Sequence, residues 1–253
     1  MSRNEINSSM LKKALDLLES FQPTGGPFRL AELAARTGLP KPTAHRLAAD
    51  LIAAGWLERS GVHYRLGGKL FELGSLVPRR RDLRETALPF IQDLFEATRE
   101  TVHLAVREGR GVVYVERIHG HGAPLMPSRI GGSLPLTCTG VGKALLAFSG
   151  PELTEEVLAA PLPRLTPYSI TEPDRLRMAI EQVQASGLAY EDQESALGLS
   201  CIAAPVFSDG EAVAALSVSV PRARFRPAQL APAVRTAALG LSRVLRAGIR
   251  GLS

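Results

Sequence analysis

Apolar positions recur at helical spacing over residues 9–21, where Met10, Ala14, Leu17 and Phe21 form one stripe with Leu11, Leu15 and Leu18 beside it. Ser8 or Ser9 can cap this helix, and Pro23, Gly25 and Gly26 end it. A second, shorter stripe (Leu30, Leu33, Ala34) predicts a helix over 30–37, with Gly38 where a left-handed stop is wanted. A third helix is predicted from Lys41 and Pro42, since proline is favoured in a first turn; its stripe is Ala44, Leu47, Ala48, Leu51 and Ile52, closed by Gly55. From Trp56 to Leu66 the period changes to two, with Val62, Tyr64 and Leu66 on one side, His63 and Arg65 on the other, and Gly61 at the bend. Three helices and a small hairpin make a winged helix-turn-helix.

Residues 67–77 are weakly helical, and Pro78-Arg79-Arg80-Arg81 breaks the pattern. A helix over about 82–99 follows (Leu83, Ala87, Ile91, Leu94, Phe95, Thr98), which Pro89 should bend or restart. Beyond it the chain alternates. Strands are predicted over 101–107 and 112–118, joined at Gly109-Arg110-Gly111, then a Gly/Pro/His-rich loop over 119–133. Helices follow over 142–148, 152–159 and 172–186, and strands over 188–192, 199–207 and 212–220. A long helix over 227–249 carries Leu230, Val234, Ala238, Leu241 and Leu245. The expected class is α+β: a winged helix-turn-helix domain at 1–78, a linker helix at 79–99, and a C-terminal domain at 100–253 with a mostly antiparallel sheet.

Charge sharpens this division. Residues 1–81 hold 13 Lys/Arg and 7 Asp/Glu (+6), and residues 82–253 hold 17 and 18 (−1), summing to the net +5 of the 253-residue chain. A surplus confined to the first third fits contact with a polyanion, although a merely solvated basic face has the same signature. Apolar runs fall far short of the ~20 residues of a membrane helix. The first ten residues lack a signal-peptide core. Cys138 and Cys201 are too few for a disulfide framework, which fits a cytoplasmic protein.

Three motifs carry candidate chemistry. The helix pair 30–52 can set its second helix in a DNA major groove, with Lys41, Thr43, His45, Arg46 and Asp50 facing outward. Arginine can bond guanine bidentately, and Thr or Lys can take phosphate oxygens. Arg59, His63 and Arg65 on the wing can reach the backbone or the minor groove. The alternative is a helical hairpin used for packing. The second motif, TGVGKALLA at 139–147, lacks the glycine and the Ser/Thr of a phosphate loop at Thr137 and Ala144. It remains either a helix entry able to hold a small anion or one whose glycines serve packing alone. The third is Glu191, Glu194, Cys201, Ser217 and Ser219, whose strand spacing lets small polar groups share a sheet face and line a ligand pocket. A nucleophilic Cys201 would need a base, and none of His45, His63, His103, His119 and His121 stands at a family-type spacing to it. A redox pair of Cys138 and Cys201, and zinc binding by His119, His121 and Cys138, rest on weaker patterns still; no metal or other cofactor is expected.

These segments resemble the IclR family of bacterial transcriptional regulators over nearly the whole chain: LAELAARTGLPKPTAHRLAADLIAAGWLE and YRLGGKLFELG, then TVHLAV, VVYVERI, GGSLPLTCTGVGKALLAF, GLAYEDQESALGLSCIAAPVF and ALSVSVP. The family signature agrees at Gly187, Glu194, Cys201, Ile202, Ala203, Val206 and Phe207, and departs at Glu191, where Asp or Ser is usual, and at Ser208, where Asp or Asn is usual. The resemblance implies a winged-helix DNA-binding domain, a linker helix and a GAF-like effector-binding domain. It also implies homodimers or homotetramers on a roughly palindromic double-stranded operator, and a pocket for a small organic acid rather than an enzyme's active site. The pocket positions fall on Gly140, Val141, Glu191, Cys201, Ser217 and Ser219. Arg129 can pair with an effector carboxylate or simply be solvated.

Overall fold

The structure, a computed structural model, describes residues 9–120 and 126–250, excluding the side chains of 78–81 and 248–250. It divides into two compact units, 1–81 and 82–253, at the point where the charge changes sign. Among the described residues no helix is long and apolar enough to cross a membrane.

In the first unit, α1 (Met10–Glu19), α2 (Leu30–Thr37) and α3 (Lys41–Ala53) pack with a three-stranded antiparallel sheet. That sheet joins β1 (Phe28–Arg29), β2 (Leu57–Ser60) and β3 (His63–Leu66) in the order β1-β3-β2. Ser9 caps α1 by accepting from Lys12 N at 3.1 Å; Ser8 lies outside the described residues. Gly38 closes α2 at φ 68°, a conformation that an L side chain resists. Leu17, Phe21, Leu33, Ala44, Leu47, Ala48, Leu57 and Tyr64 form the core. The wing stripe is buried only at Tyr64, since Val62 is 58% exposed at the turn and Leu66 40% exposed at the strand end. A sheet this small has room over one of those side chains. The two-residue β1 carries too little pattern to be predicted. Next, α4 (Gly68–Ser75) buries none of its side chains.

Pro78 opens a helix instead of ending one, because its missing N–H costs nothing in a first turn: α5 runs from Pro78 to Thr98 and continues through Pro89. Its face Ala87, Ile91 and Leu94 is buried in the core of the second unit, so from Asp82 on it is a layer of that unit.

The second unit is built, among the described residues, on a six-stranded antiparallel sheet in the order β6-β5-β4-β9-β8-β7. The strands are β4 (Thr101–Glu108), β5 (Gly111–Ile118), β6 (Ser133–Pro135), β7 (Ala189–Asp192), β8 (Leu199–Ser208) and β9 (Glu211–Pro221). One face carries large side chains, among them Val102, Leu104, Ile202, Leu216, Val218 and Val220. These pack on α5 and on Val234, Ala238 and Leu241 of α9 (Pro227–Arg250). The other face carries the small Ala105, Ala189, Ala203 and Ala215 beside Val112 and Tyr114, and α6 (Gly140–Leu146), α7 (Pro151–Leu158) and α8 (Pro173–Ser186) share its core. The difference in side-chain size between the faces positions the site, because small residues leave space between sheet and helix.

Candidate functional site

On α3, Ala44, Leu47 and Ala48 face the core, leaving Lys41, His45, Arg46 and Asp50 exposed and Thr43 half-buried. Arg46 leans on the start of α1, its Nη2 3.8 Å from Met10 Sδ. On the wing, Arg65 is exposed and His63 half-buried opposite Arg29 of β1. Arg59 folds back to donate to Gly61 O at 2.9 Å, with its guanidinium over the Tyr64 ring, so it braces the wing turn. The exposed set therefore lies on one side of α3 and along the wing, over a fully apolar core.

In the second unit, register assembles the pocket. Glu191 pairs with Cys201, Cys201 with Ser219, Ala203 with Ser217, and Ser217 with His103, so all project from the alanine-rich face. They border a small cavity between the sheet and the start of α6, lined by Gly140, Val141, Glu191, Cys201, Ser217 and Ser219. His103, Tyr114, Ser128, Thr139 and Ser195 complete the polar part of the wall, and Pro127, Leu134 and Leu199 the apolar part. Arg129 does not line it.

Glu191 is 1% exposed, and its Oε1 accepts from the backbone N–H of Glu194 (2.5 Å) and Ser195 (3.0 Å). Burial pushes its carboxyl up to about 7, with Glu194 adding to the shift and Lys143 and the two N–H groups opposing it. His103 bridges two serines, Nε2 to Ser128 Oγ at 2.8 Å and Nδ1 to Ser219 Oγ at 3.5 Å. Burial, then Arg117 and His119, holds it down at about 3, so the ring is neutral; serine hydroxyls satisfy either tautomer. Arg117 donates to Ser128 O, which fixes that loop residue over the cavity from a second side. Burial raises the Tyr114 phenol as well.

Cys201 is held as a thiol, pushed well up by burial and by Glu191. Burial likewise raises Cys138, which donates to Pro163 O at 3.3 Å away from the cavity. Neither sulfur has the electropositive setting of a reactive thiolate. Among the described residues no cluster of metal-ligating groups occurs; His121, part of the weak zinc pattern, lies outside them.

The sequence pattern places Glu194 with the pocket set, but its carboxylate turns to Lys143 in a buried ion pair, and it is absent from the cavity wall. The helix start at 139–147 also resolves. Thr139 caps α6 by accepting from Gly142 N at 3.0 Å. A Cβ on Gly142 would lie 2.1 Å from Leu136 O, and one on Gly140 2.6 Å from Cys201 Sγ. Both glycines are demanded by close approach. Gly140→Ala is expected to overpack the site at a cost of about 1–3 kcal/mol. Cys201→Ala in the same chain should recover most of that in a denaturant titration. Gly142→Ala should not be rescued, because its obstacle is a backbone carbonyl.

His103, Tyr114, Ser128 and Ser195 are among the polar wall residues that sequence reasoning misses. His103 alone had a usable signal, standing two positions from Thr101 and Ala105 on one strand face.

Comparison with known proteins agrees over both units. The model of the IclR helix-turn-helix domain matches residues 10–61, and that of the bacterial transcriptional regulator IclR C-terminal domain matches residues 76–243. The chain is 33% identical over 242 residues to the HTH-type transcriptional regulator XynR of Escherichia coli, covering 93% of this chain and 96% of that one. It is 32% identical over 220 residues to the E. coli transcriptional repressor IclR, covering 85% and 80%. An IclR homolog from Microbacterium hydrocarbonoxydans, crystallised with 4-hydroxybenzoate, superposes with a TM-score of 0.85 at 34% identity over 94% of this chain and 100% of that one. With its helix-turn-helix unit and its effector-binding C-terminal unit, this chain belongs to the IclR family of DNA-binding transcriptional regulators, not to an enzyme family.

Proposed function

We propose that the chain is a sequence-specific regulator whose operator binding is modulated by a small organic acid held in the second unit. The observation that carries this reading is the cavity, whose wall includes all six expected effector positions, Gly140, Val141, Glu191, Cys201, Ser217 and Ser219, on the side of the sheet built from small residues. Serine hydroxyls and the neutral His103 offer hydrogen bonds to a carboxylate or hydroxyl, and the 4-hydroxybenzoate complex of the Microbacterium homolog supports a small organic acid as the ligand class.

Lys41, Thr43, His45 and Arg46 enter the major groove, while Arg59, His63 and Arg65 hold the wing against the backbone. A homodimer or homotetramer meets a roughly palindromic operator with half-sites ~10 base pairs, or a multiple, apart; such an operator on the chromosome puts the regulator in the cytoplasm. The acid regulates only by binding the DNA-competent and DNA-incompetent states with different affinity.

A mobility-shift assay on the promoter beside the protein's own gene tests the groove assignment. Arg46→Ala is expected to lose about 1–3 kcal/mol of specific binding; an unchanged shift overturns it. A thermal-shift screen of small carboxylic acids tests the effector reading, since a ligand that binds the folded state raises the midpoint. A flat screen that includes 4-hydroxybenzoate and benzoate overturns it.

A further inference from the structure

The cavity wall contains neither lysine nor arginine. Its ionisable members are His103, Tyr114, Glu191 and Cys201, and burial disfavours the charged form of each. Lys143 of α6, the cation whose charge acts on Glu191, is 3% exposed and already paired with Glu194 of the loop after β7. Arg117 of β5 is committed to Ser128 O, and Asp192, beside Glu191 on β7, faces the other way to pair with Arg222 at 2.6 Å. The carboxyl of Glu191 uses only Oε1 for its two backbone N–H partners; Oε2 takes no hydrogen bond among the described residues. An anionic ligand therefore enters a site whose one uncompensated acid already borders it.

We infer that this is a proton-coupled anion site, in which a carboxylate effector enters together with one proton that bonds to Glu191 Oε2. The proton comes from solvent; the new O–H then donates to a carboxylate oxygen of the effector, and two like charges never share the buried cavity. The inference rests on the organic-acid reading above and adds a regulatory consequence: alkaline conditions release the effector without any change in its concentration. Because the free protein's Glu191 sits at about 7, it is already protonated below that pH and the affinity is flat there. Above it each binding event must take up a proton, and Kd rises up to tenfold per pH unit.

The experiment is isothermal titration of the full chain with 4-hydroxybenzoate in buffers of different ionisation enthalpy. Uptake of nearly one proton is expected at about pH 8, falling towards none at about pH 6. Glu191→Gln, which keeps Oε1 for the backbone donors, is expected to bind with no uptake and a pH-independent Kd. No uptake by the wild type, or equal uptake by the variant (which would point to His103), overturns the inference while leaving the organic-acid reading intact. Absence of binding by this acid, by benzoate and throughout the thermal-shift screen removes both. Should the variant fail to fold, infrared difference spectra of the free wild-type protein between the same pH values decide the point. A protonated-carboxyl band lost on going alkaline is expected, and its absence overturns the inference.

Discussion

Replacing Lys143 with methionine is expected to destabilise the second unit by about 3–5 kcal/mol near pH 8, the loss typical of stranding one member of a buried ion pair. The stranded group is Glu194, whose side chain is 8% exposed and whose Oε2 has no hydrogen-bond partner. Around it the loop is held through its backbone instead: Ser169 Oγ donates to Glu194 O at 2.8 Å, and Thr166 Oγ1 to Gln193 O at 2.6 Å. The loop therefore cannot carry the carboxylate out to water without breaking that anchorage. Burial already raises the Glu194 carboxyl in spite of Lys143, so without the lysine it takes up a proton more readily and the loss shrinks as the pH falls. Adding Glu194→Gln to Lys143→Met removes the orphaned charge and should return most of the stability. Denaturant unfolding of the three variants checks this. A single variant as stable as the wild type would mean that the pair contributes nothing, and a double variant no better than the single would mean that packing, not charge, is what Lys143 supplies.

Lys143 also shows where sequence stops being legible. In TGVGKALLA its position is that of a phosphate-binding lysine, and only the missing Gly and Ser/Thr argue otherwise; its partner Glu194, 51 residues away, is invisible without the fold. The helix-turn-helix was readable because each signal is local: the stripe Ala44, Leu47 and Ala48, the φ 68° of Gly38, and the proline in the first turn of α3. On the same grounds Leu199–Ser208 and Glu211–Pro221 were readable as strands, and Cys201 and Ser219 as neighbours on one face. Tyr114 was not, and His103 was readable only as a position on one strand face, because what they meet depends on how β4 pairs with β9 and β5. A register shift between Leu104 and Ala105 resets the β4–β5 pairing. Val62 and Leu66 fail for the opposite reason. Their alternation is a sound strand signal, but burial is decided by what covers the strand, and the wing is too small to cover all three positions of the stripe.

Glu191 leads to the second large effect, on the stability of the protein with no effector present. Its carboxyl lies at about 7 in the folded chain against the usual 4.5, so between those values the folded state binds a proton that the unfolded state has lost. Stability from this group is then fully present below about pH 4.5, falls as the pH rises, and is spent by about pH 7, for a total of about 3 kcal/mol. Most buried acids that are ion-paired shift the other way and stabilise as the pH rises, so the sign is diagnostic of a carboxyl governed by burial. Other groups titrate over the same range, so the quantity to measure is the difference between the wild type and Glu191→Gln. The variant keeps the acceptor for Glu194 N and Ser195 N but has no proton to gain. Its unfolding free energy relative to the wild type should rise by about 3 kcal/mol from pH 4.5 to pH 7 and stay level above. A difference that is flat across that range would place Glu191 among ordinary solvated carboxylates, and one that falls would mean that Lys143 and the two backbone N–H groups outweigh burial.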